Sequence, residues 1–479
     1  MRAVTTSAGV FAVRKYTFLG CIAFLLYPSI CVGQAAIQLS KWVGPPTAET
    51  LVSGHNFPAD DKLKLYFDSL SVGQVTTNST GAFLGAPIEV PRGALPGKHF
   101  VVAKAVNPRI EAKTHFLVRT DWPQYGFGPN GARHNRFENL LNPKNVGKLA
   151  LRFSHAAPAG LAPPVVAEGM VYFSSNDGNV YALNADTGAF VWKAEGYEPA
   201  VSDGIIYFTG SGSDVYLYAR NEKSGDVVWI HNLEVPATGL VVSDDVVYVT
   251  AAPAAGYDLF ALNATTGLLD WRTFIWGTPA LRKPAVARFV VYVGASGSSG
   301  SDLIAVGVGF WQYPIDVSSA PAVVDGVVYA GSADDNVYAL ESNAALLWKY
   351  STTNSVYSSP AVADGVVYAG SGDGSIYALK ANTGALVWKH SVGYFAGSPA
   401  VANGVVYVAS GDGNAYFLNA LNAKTGVLLW KYTFGLRPTD PVVVNGMVYV
   451  GSADGHLYVF GLPHGGFRRT ATKPRPLLR

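Results

Sequence analysis

The sequence predicts an all-β protein: an eight-bladed β-propeller of four-stranded blades, its last blade closed by an N-terminal strand, preceded by a small β-sandwich. Three observations predict it. A phrase of roughly forty residues recurs after residue 145, and such a period marks a repeat architecture. A Val-Tyr or Ile-Tyr pair closes the second strand of each copy, at Tyr172, Tyr207, Tyr248, Tyr292, Tyr329, Tyr368, Tyr407 and Tyr449. Seven of the ten tryptophans fall in one slot at the end of the copy: Trp192, Trp229, Trp271, Trp311, Trp348, Trp388 and Trp430.

Each copy reads as four short strands separated by turns. Proline stands eight positions before the tyrosine in seven copies (Pro164, Pro199, Pro284, Pro321, Pro360, Pro399, Pro441), and Leu240 in the other. Proline suits the first residue of a strand, where no ladder N–H is needed. Asp364-Gly365 and Asn403-Gly404 supply the positive φ of tight hairpins, as do Asp373-Gly374 and Asp454-Gly455 at the next turn. Thr187-Gly188, Thr266-Gly267, Thr383-Gly384 and Thr425-Gly426 turn the chain into the last strand. Four-stranded sheets repeated radially make a propeller.

The eighth copy stops near Phe460, with no tryptophan strand after it. Leu149-Ala150-Leu151-Arg152-Phe153 has the missing character, Leu151-Arg152-Phe153 matching Trp348-Lys349-Tyr350 in type. This early strand is expected to complete the last blade and remove its free edge. A seven-bladed ring with spare strands is the alternative.

The other segments follow in order. Residues 1–35 read as a secretion signal: Arg2, Arg14 and Lys15 precede an apolar run over 16–32, and Cys31-Val32-Gly33 offers a small-residue cleavage site. Pro28 and the modest length of the run argue against a stable transmembrane span. Ile30 before Cys31 argues against lipidation. Both cysteines, Cys21 and Cys31, lie here, so the mature chain can form no disulfide and no cysteine-ligated metal site. Residues 36–119 alternate as Leu63-Leu65-Phe67, Phe100-Val102 and His115-Leu117, with turns at Ser79-Thr80-Gly81 and Leu95-Pro96-Gly97. They predict a sandwich of about seven strands. Residues 120–147 read as a linker into the propeller, 148–463 as the propeller, and 464–479 as a disordered tail carrying Arg468, Arg469, Lys473, Arg475 and Arg479.

Composition excludes some functions. Charged residues are 14% and the net charge is +2, so no basic field argues for nucleic acid. The nine histidines show no His-x-x-x-His or His-Glu-x-x-His spacing. His55, His99, His115 and His134 precede the propeller, and His155, His231 and His390 recur at or just after a blade's last strand. The Gly210-Ser211-Gly212 and 296–301 Gly/Ser runs precede no helix and are not phosphate loops. Asp373 and Asp412 have a sufficient role as turn residues.

Two resemblances add to this. Val52-Ser53-Gly54-His55-Asn56-Phe57, then residues 62–68, then Ser79-Thr80-Gly81-Ala82-Phe83 resemble immunoglobulin-like domains of the IPT/TIG type, which implies a spacer or adhesion module. Asp121-Trp122-Pro123-Gln124-Tyr125-Gly126, Arg133-His134-Asn135 and Asn142-Pro143-Lys144-Asn145 precede repeats that carry Ala182…Thr187-Gly188…Trp192. Together these are similar to the quinoprotein (PQQ-dependent dehydrogenase) superfamily and its tryptophan-docking motif. The resemblance implies that the tryptophan packs between blades. In the catalytic branch it implies PQQ in the central funnel, beside a calcium ion held by carboxylate and amide oxygens, with an aspartate base. This chain lacks that branch's vicinal cysteines and long insertions, and no Glu–Asn–Asp set matches, so no catalytic or metal residue is carried over and the cofactor-binding residues are left unassigned. Regular blades without cysteines are more similar to the non-catalytic PQQ-like propeller of the bacterial outer-membrane assembly machinery. That protein, however, is a lipoprotein with no leading sandwich.

The leading expectation is therefore a secreted, periplasmic or cell-surface monomer that is a non-catalytic binding or scaffold protein. It would have protein or cell-envelope partners, no nucleic acid and no cofactor. The alternatives are a PQQ- and calcium-dependent oxidoreductase and a carbohydrate- or surface-binding protein.

Overall fold

The computed structural model describes residues 33–105, 109–253, 256–275, 283–297, 300–307 and 309–463. The tail at 464–479 and nearly all of the expected export signal, with both cysteines, lie outside the described residues. Every described element is a strand except one 3-10 turn, Val146–Lys148. No helix among the described residues is long and apolar enough to cross a membrane.

Residues 36–118 form two sheets. One orders Ala36–Leu39, Glu49–His55 and Phe83–Glu89; the other orders Val43–Gly44, Glu111–Val118, Gly97–Ala105, Lys62–Phe67 and Leu70–Thr76. Alternation along Lys62–Phe67 turns Leu63, Leu65 and Phe67 inward, where they meet Val52 and Ile88 of the facing sheet. Eight strands are present rather than about seven. The extra strand, Val43–Gly44, pairs in parallel with Leu117 and Val118. Two residues are too few to show a period in the sequence.

From residue 165 onward the described strands form eight successive antiparallel sheets, numbered here as repeats one to eight. Repeats one to six each use four consecutive strands. Repeat seven (400–434) adds His134–Asn135 along its first strand, in parallel, and Phe395–Ala396 beside its second. Repeat eight has three of its own, Val442–Val444, Met447–Gly451 and His456–Gly461; its fourth is Ala150–Ala156, antiparallel to the last. This is the sheet arrangement of a β-propeller.

One contact set joins neighbouring repeats. At four joints the second-strand tyrosine and the fourth-strand tryptophan donate to the same backbone carbonyl of the next repeat. In repeat seven Trp430 donates instead to Leu149 O, and the buried Tyr407 hydroxyl has no hydrogen-bond partner among the described residues. Tyr172 and Trp192 share Glu222 O at 3.0 Å each. Tyr207 and Trp229 share Ala264 O, and Tyr368 and Trp388 share Ala423 O. The Thr-Gly glycine of that next repeat lies on the indole: a Cβ on Gly384 would come within 2.7 Å of Trp348. The ring closes the same way, since Tyr449 donates to Ala185 O of repeat one at 3.2 Å. Here the register corrects the sequence alignment. Phe153, not Leu151, takes the tryptophan slot: it pairs with Val459, lies on Gly188, and follows a bulge equivalent to the one before Trp192. Leu151 corresponds to Phe190, and both are exposed. A bulge moves every later side chain by one place, which similarity of residue type does not reveal.

The hairpins between first and second strands hold two successive residues at positive φ. Glycine takes the second place in six: Gly169, Gly204, Gly326, Gly365, Gly404 and Gly446. Asp245 takes it in repeat three, and Phe289, at φ 64°, in repeat four. A left-handed L-residue with a bulky side chain costs roughly 1–2 kcal/mol.

Candidate functional site

The segment read from sequence as a linker is threaded through the middle of the propeller. Residues 122–135 hydrogen-bond to the same position of all eight repeats in turn, the second residue after the proline slot. Trp122 exchanges two backbone bonds with Val166, Pro123 O accepts from Val201 N, and the Gln124 amide both donates to and accepts from Val242. Pro129, Asn130, Ala132 and Arg133 carbonyls accept from Val286, Val323, Val362 and Val401, and Asn135 Nδ2 donates to Val443 O. First strands of only three to seven residues leave an inner edge unpaired, and this strap satisfies it.

On one side of the strap the residues just before the eight proline slots surround a cavity of about 550 Å³. In order they are Pro163, Glu198, Gly239, Lys283, Ala320, Ser359, Ser398 and Asp440. All but Gly239 line the cavity directly. The flanking proline and strand positions are nearly constant while this one varies from repeat to repeat, so this position carries the chemical identity of the site.

Tyr125 of the strap is its hub. Its hydroxyl donates to Asp440 Oδ2 at 3.1 Å and meets Ser359 Oγ and Ser398 Oγ at 3.0 and 3.4 Å. The Lys283 ammonium lies 4.5 Å from its ring centroid and the Arg133 guanidinium 4.9 Å. Arg133, buried, donates to Pro399 O at 2.7 Å and lies 3.8 Å from Asp440. Lys283 reaches Glu198 at 3.2 Å past Gly239, where a Cβ would meet Lys283 Cα at 3.3 Å. A relay runs between repeats: Ala320 N donates to Ser359 Oγ, Ser359 N to Ser398 Oγ, and Ser398 N to Asp440 Oδ1. Burial, then the Asp440 carboxylate, pushes the Tyr125 phenol up. Burial works against the Lys283 charge, but Glu198, Tyr125 and Asp440 outweigh it and raise the ammonium above its usual range. Tyr197, Tyr357, Phe395 and Arg437 form the rim.

Most of the histidines and aspartates singled out in the sequence lie elsewhere, but His134 belongs to the strap, paired beside Val401 of repeat seven. His155, His231 and His390 do share one repeat position, two residues beyond the tryptophan slot, but on the fourth strands of three different repeats. His99 is held by Asp68 and Leu95 O in the N-terminal unit. Asp373 accepts from Ser375 N, the Tyr377 hydroxyl and Lys389, and Asp412 from Asn414 N and Ala415 N, all as turn residues. The ring of eight was missed although its signal was present: one position varies through Pro, Glu, Gly, Lys, Ala, Ser, Ser and Asp beside nearly constant neighbours.

Residues 144–216, 212–308, 304–393 and 372–463 each match the family described as outer membrane protein assembly factor BamB. The chain belongs to that family. It is 28% identical over 255 residues to the BamB outer membrane protein assembly factor of Yersinia pestis, covering 45% of this chain and 62% of that protein. It is 28% identical over 198 residues to the tetrathionate hydrolase of Acidithiobacillus ferrooxidans, covering 39% and 36%. The matches thus span less than two thirds of either relative. BamB from Moraxella catarrhalis superposes with a TM-score of 0.53 at 18% identity, over 65% of this chain and 99% of that one. The quinohemoprotein alcohol dehydrogenase ADHIIG from Pseudomonas putida HK5 superposes with a TM-score of 0.59 at 16% identity, over 74% and 82%. At these identities the likeness shows the shared propeller fold alone.

The dehydrogenase fold raises the question of PQQ and calcium. Calcium takes six to eight converging oxygens. The two carboxylates of the axial cavity face cations instead, Glu198 on Lys283 and Asp440 beside Arg133. Among the described residues no group of three or more His, Cys, Asp or Glu side chains could hold a metal ion. The donor set does not fit a calcium–PQQ centre.

Proposed function

We propose that this member of the BamB-like family is a non-catalytic binding and scaffold protein of the cell envelope. In this reading it is exported by its N-terminal signal. It acts as a monomer through an eight-bladed propeller, with an Ig-like module at residues 36–119 as a spacer. Its partners are envelope proteins, by analogy with the assembly factor it matches. The observation that carries the reading is the strap. An axial site most of whose donors and acceptors are taken up by Tyr125, Arg133, Lys283 and the serine relay, with Glu198 Oε2 left without a hydrogen-bond partner among the described residues, holds the repeats in place. It leaves few groups free for chemistry. The Asn445 side chain clasps Thr120 on both sides, at 2.9 and 2.8 Å, and so ties the end of the N-terminal unit to repeat eight.

Two measurements on the full chain test this. Cross-linking in the protein's own cells should join it to a reproducible set of envelope proteins. PQQ plus calcium should leave its melting temperature unchanged. A ligand at a hundred times its Kd would add about 2.7 kcal/mol to the folded state. A cofactor-dependent rise together with alcohol-dependent dye reduction would replace this reading with the oxidoreductase one. Saturable binding of a glycan would favour the carbohydrate-binding alternative.

A further inference from the structure

The hairpin of repeat four departs from its seven counterparts. Six of those place glycine at the second left-handed position and one places aspartate, which tolerates it. Repeat four places Arg288 at φ 51° and Phe289 at φ 64°. Phe289 is also 66% exposed, so neither local backbone preference nor packing within the fold favours it there. Backbone strain of this kind concentrates at functional positions.

The residues on either side of Phe289, Arg288 and Val290, line a groove of about 740 Å³ on the hairpin side of the strap. Phe127 and Phe137 form part of its wall, and Phe127 is itself left-handed, at φ 77°. Two guanidinium groups face the groove, Arg136 and Arg288, and neither makes an ion pair among the described residues. Among the described residues lining the wall the acidic side chain is Asp325, so cations exceed anions by one, two against one. His134 adds no charge near neutral pH, because burial lowers its pKa. Exposed aromatics and arginines are the residues over-represented where proteins dock. A small molecule seated in the groove would not cover Phe289, which projects from the turn; a polypeptide would cover both.

We propose that this groove docks an acidic segment of a partner protein, with Phe289 as the apolar anchor and Arg136 and Arg288 reading its carboxylates. This rests on the scaffold reading and gives it an address. The probe is a fluorescein-labelled peptide of alternating glutamate and leucine, titrated with the full chain by fluorescence anisotropy, with a lysine-for-glutamate peptide as control. The acidic peptide alone should bind, more weakly as salt rises. Phe289→Gly and Arg288→Glu should each weaken it by at least about tenfold. Phe289→Gly should at the same time raise the melting temperature, since glycine relieves the turn, so lost binding would not reflect lost folding. Equal binding of the two peptides, no binding of either, or unchanged affinity in Phe289→Gly would overturn the proposal. So would wild-type self-association in sedimentation that Phe289→Gly abolishes, because the occupant would then be a second copy of the chain. If the envelope cross-links survive Phe289→Gly, this groove fails while the scaffold reading stands.

Discussion

Tyr449 donates a hydrogen bond to Ala185 O, and the aromatic residue beside it in the tryptophan slot, Phe153, has no N–H to add. Four other such carbonyls, those of Glu222, Ala264, Ala381 and Ala423, receive a tyrosine and an indole. Ala423 O, for example, takes Tyr368 and Trp388. The seam where the ring closes therefore has one donor where the joints at Glu222, Ala264, Ala381 and Ala423 have two. Tyr449→Phe should cost about 1–3 kcal/mol because it strands a buried acceptor, whereas Tyr368→Phe should cost about 0.5–1.5 kcal/mol. Urea denaturation of both variants checks this; equal losses would count against the seam's special character.

Gly384 tests the docking geometry from the other side. It has φ 69°, and a Cβ there would stand 2.7 Å from the Trp348 ring. Gly384→Ala should destabilise by about 1–3 kcal/mol through overpacking and backbone strain together. Gly365→Ala, at φ 75° with open space around it, should show the strain alone and lose less. Thermal melts of the two variants separate the contributions.

Tyr125→Phe removes the hydroxyl that joins Asp440, Ser359 and Ser398 while leaving the ring under Lys283 and Arg133. A loss of about 1.5–3 kcal/mol is expected for a hydrogen bond to a charged group. Hydrogen exchange should become faster at Val242, Val362 and Val401, whose N–H groups bond the strap. Unchanged protection there would mean that the strap is held without its hub.

Glu222 gives a pH dependence. Its side chain is buried, with Lys223 at 3.8 Å. Burial, reinforced by Glu168, pushes its carboxyl up to about 7. Asp121 is raised as well, by burial first, although Arg119 opposes it. A carboxyl with a folded pKa above its unfolded one favours folding fully below the unfolded pKa, near 4.5, and loses that contribution as pH rises through 7. Stability should fall by roughly 1–3 kcal/mol between pH 4.5 and 8 on this account. Glu222→Gln should flatten the profile and be the more stable form at pH 8. A profile no flatter than the wild type's would assign the dependence to other groups.

The repeat architecture was legible because its determinants are local. Type I′ turns need positive φ, so Asp-Gly and Asn-Gly mark the hairpins. Buried strands need alternating or continuous apolar residues, and the inter-repeat joint needs an aromatic with a donor. Each requirement writes similar letters in most copies, with Asp244-Asp245, Arg288-Phe289 and Phe153 as departures. The missing strand at Ala150–Ala156 was legible for the same reason, but its register was not. A bulge is one uncompensated residue, and only the pairing of Phe153 with Val459 shows it.

The sequence by itself determined the strand count per repeat, the turn types and the residues that stitch neighbours together, because these depend on contacts within one repeat or between adjacent ones. The tertiary structure alone decided the centre. Tyr125, Arg133, Lys283 and Asp440 are up to 315 residues apart in the chain and meet because eight equivalent positions converge on one axis. The strap that joins them borrows its hydrogen-bonding partners from all eight repeats, and nothing in its own residues announces that it runs through the ring rather than around it. Convergence on an axis is a property of the closed ring, and the letters of a single repeat do not contain it.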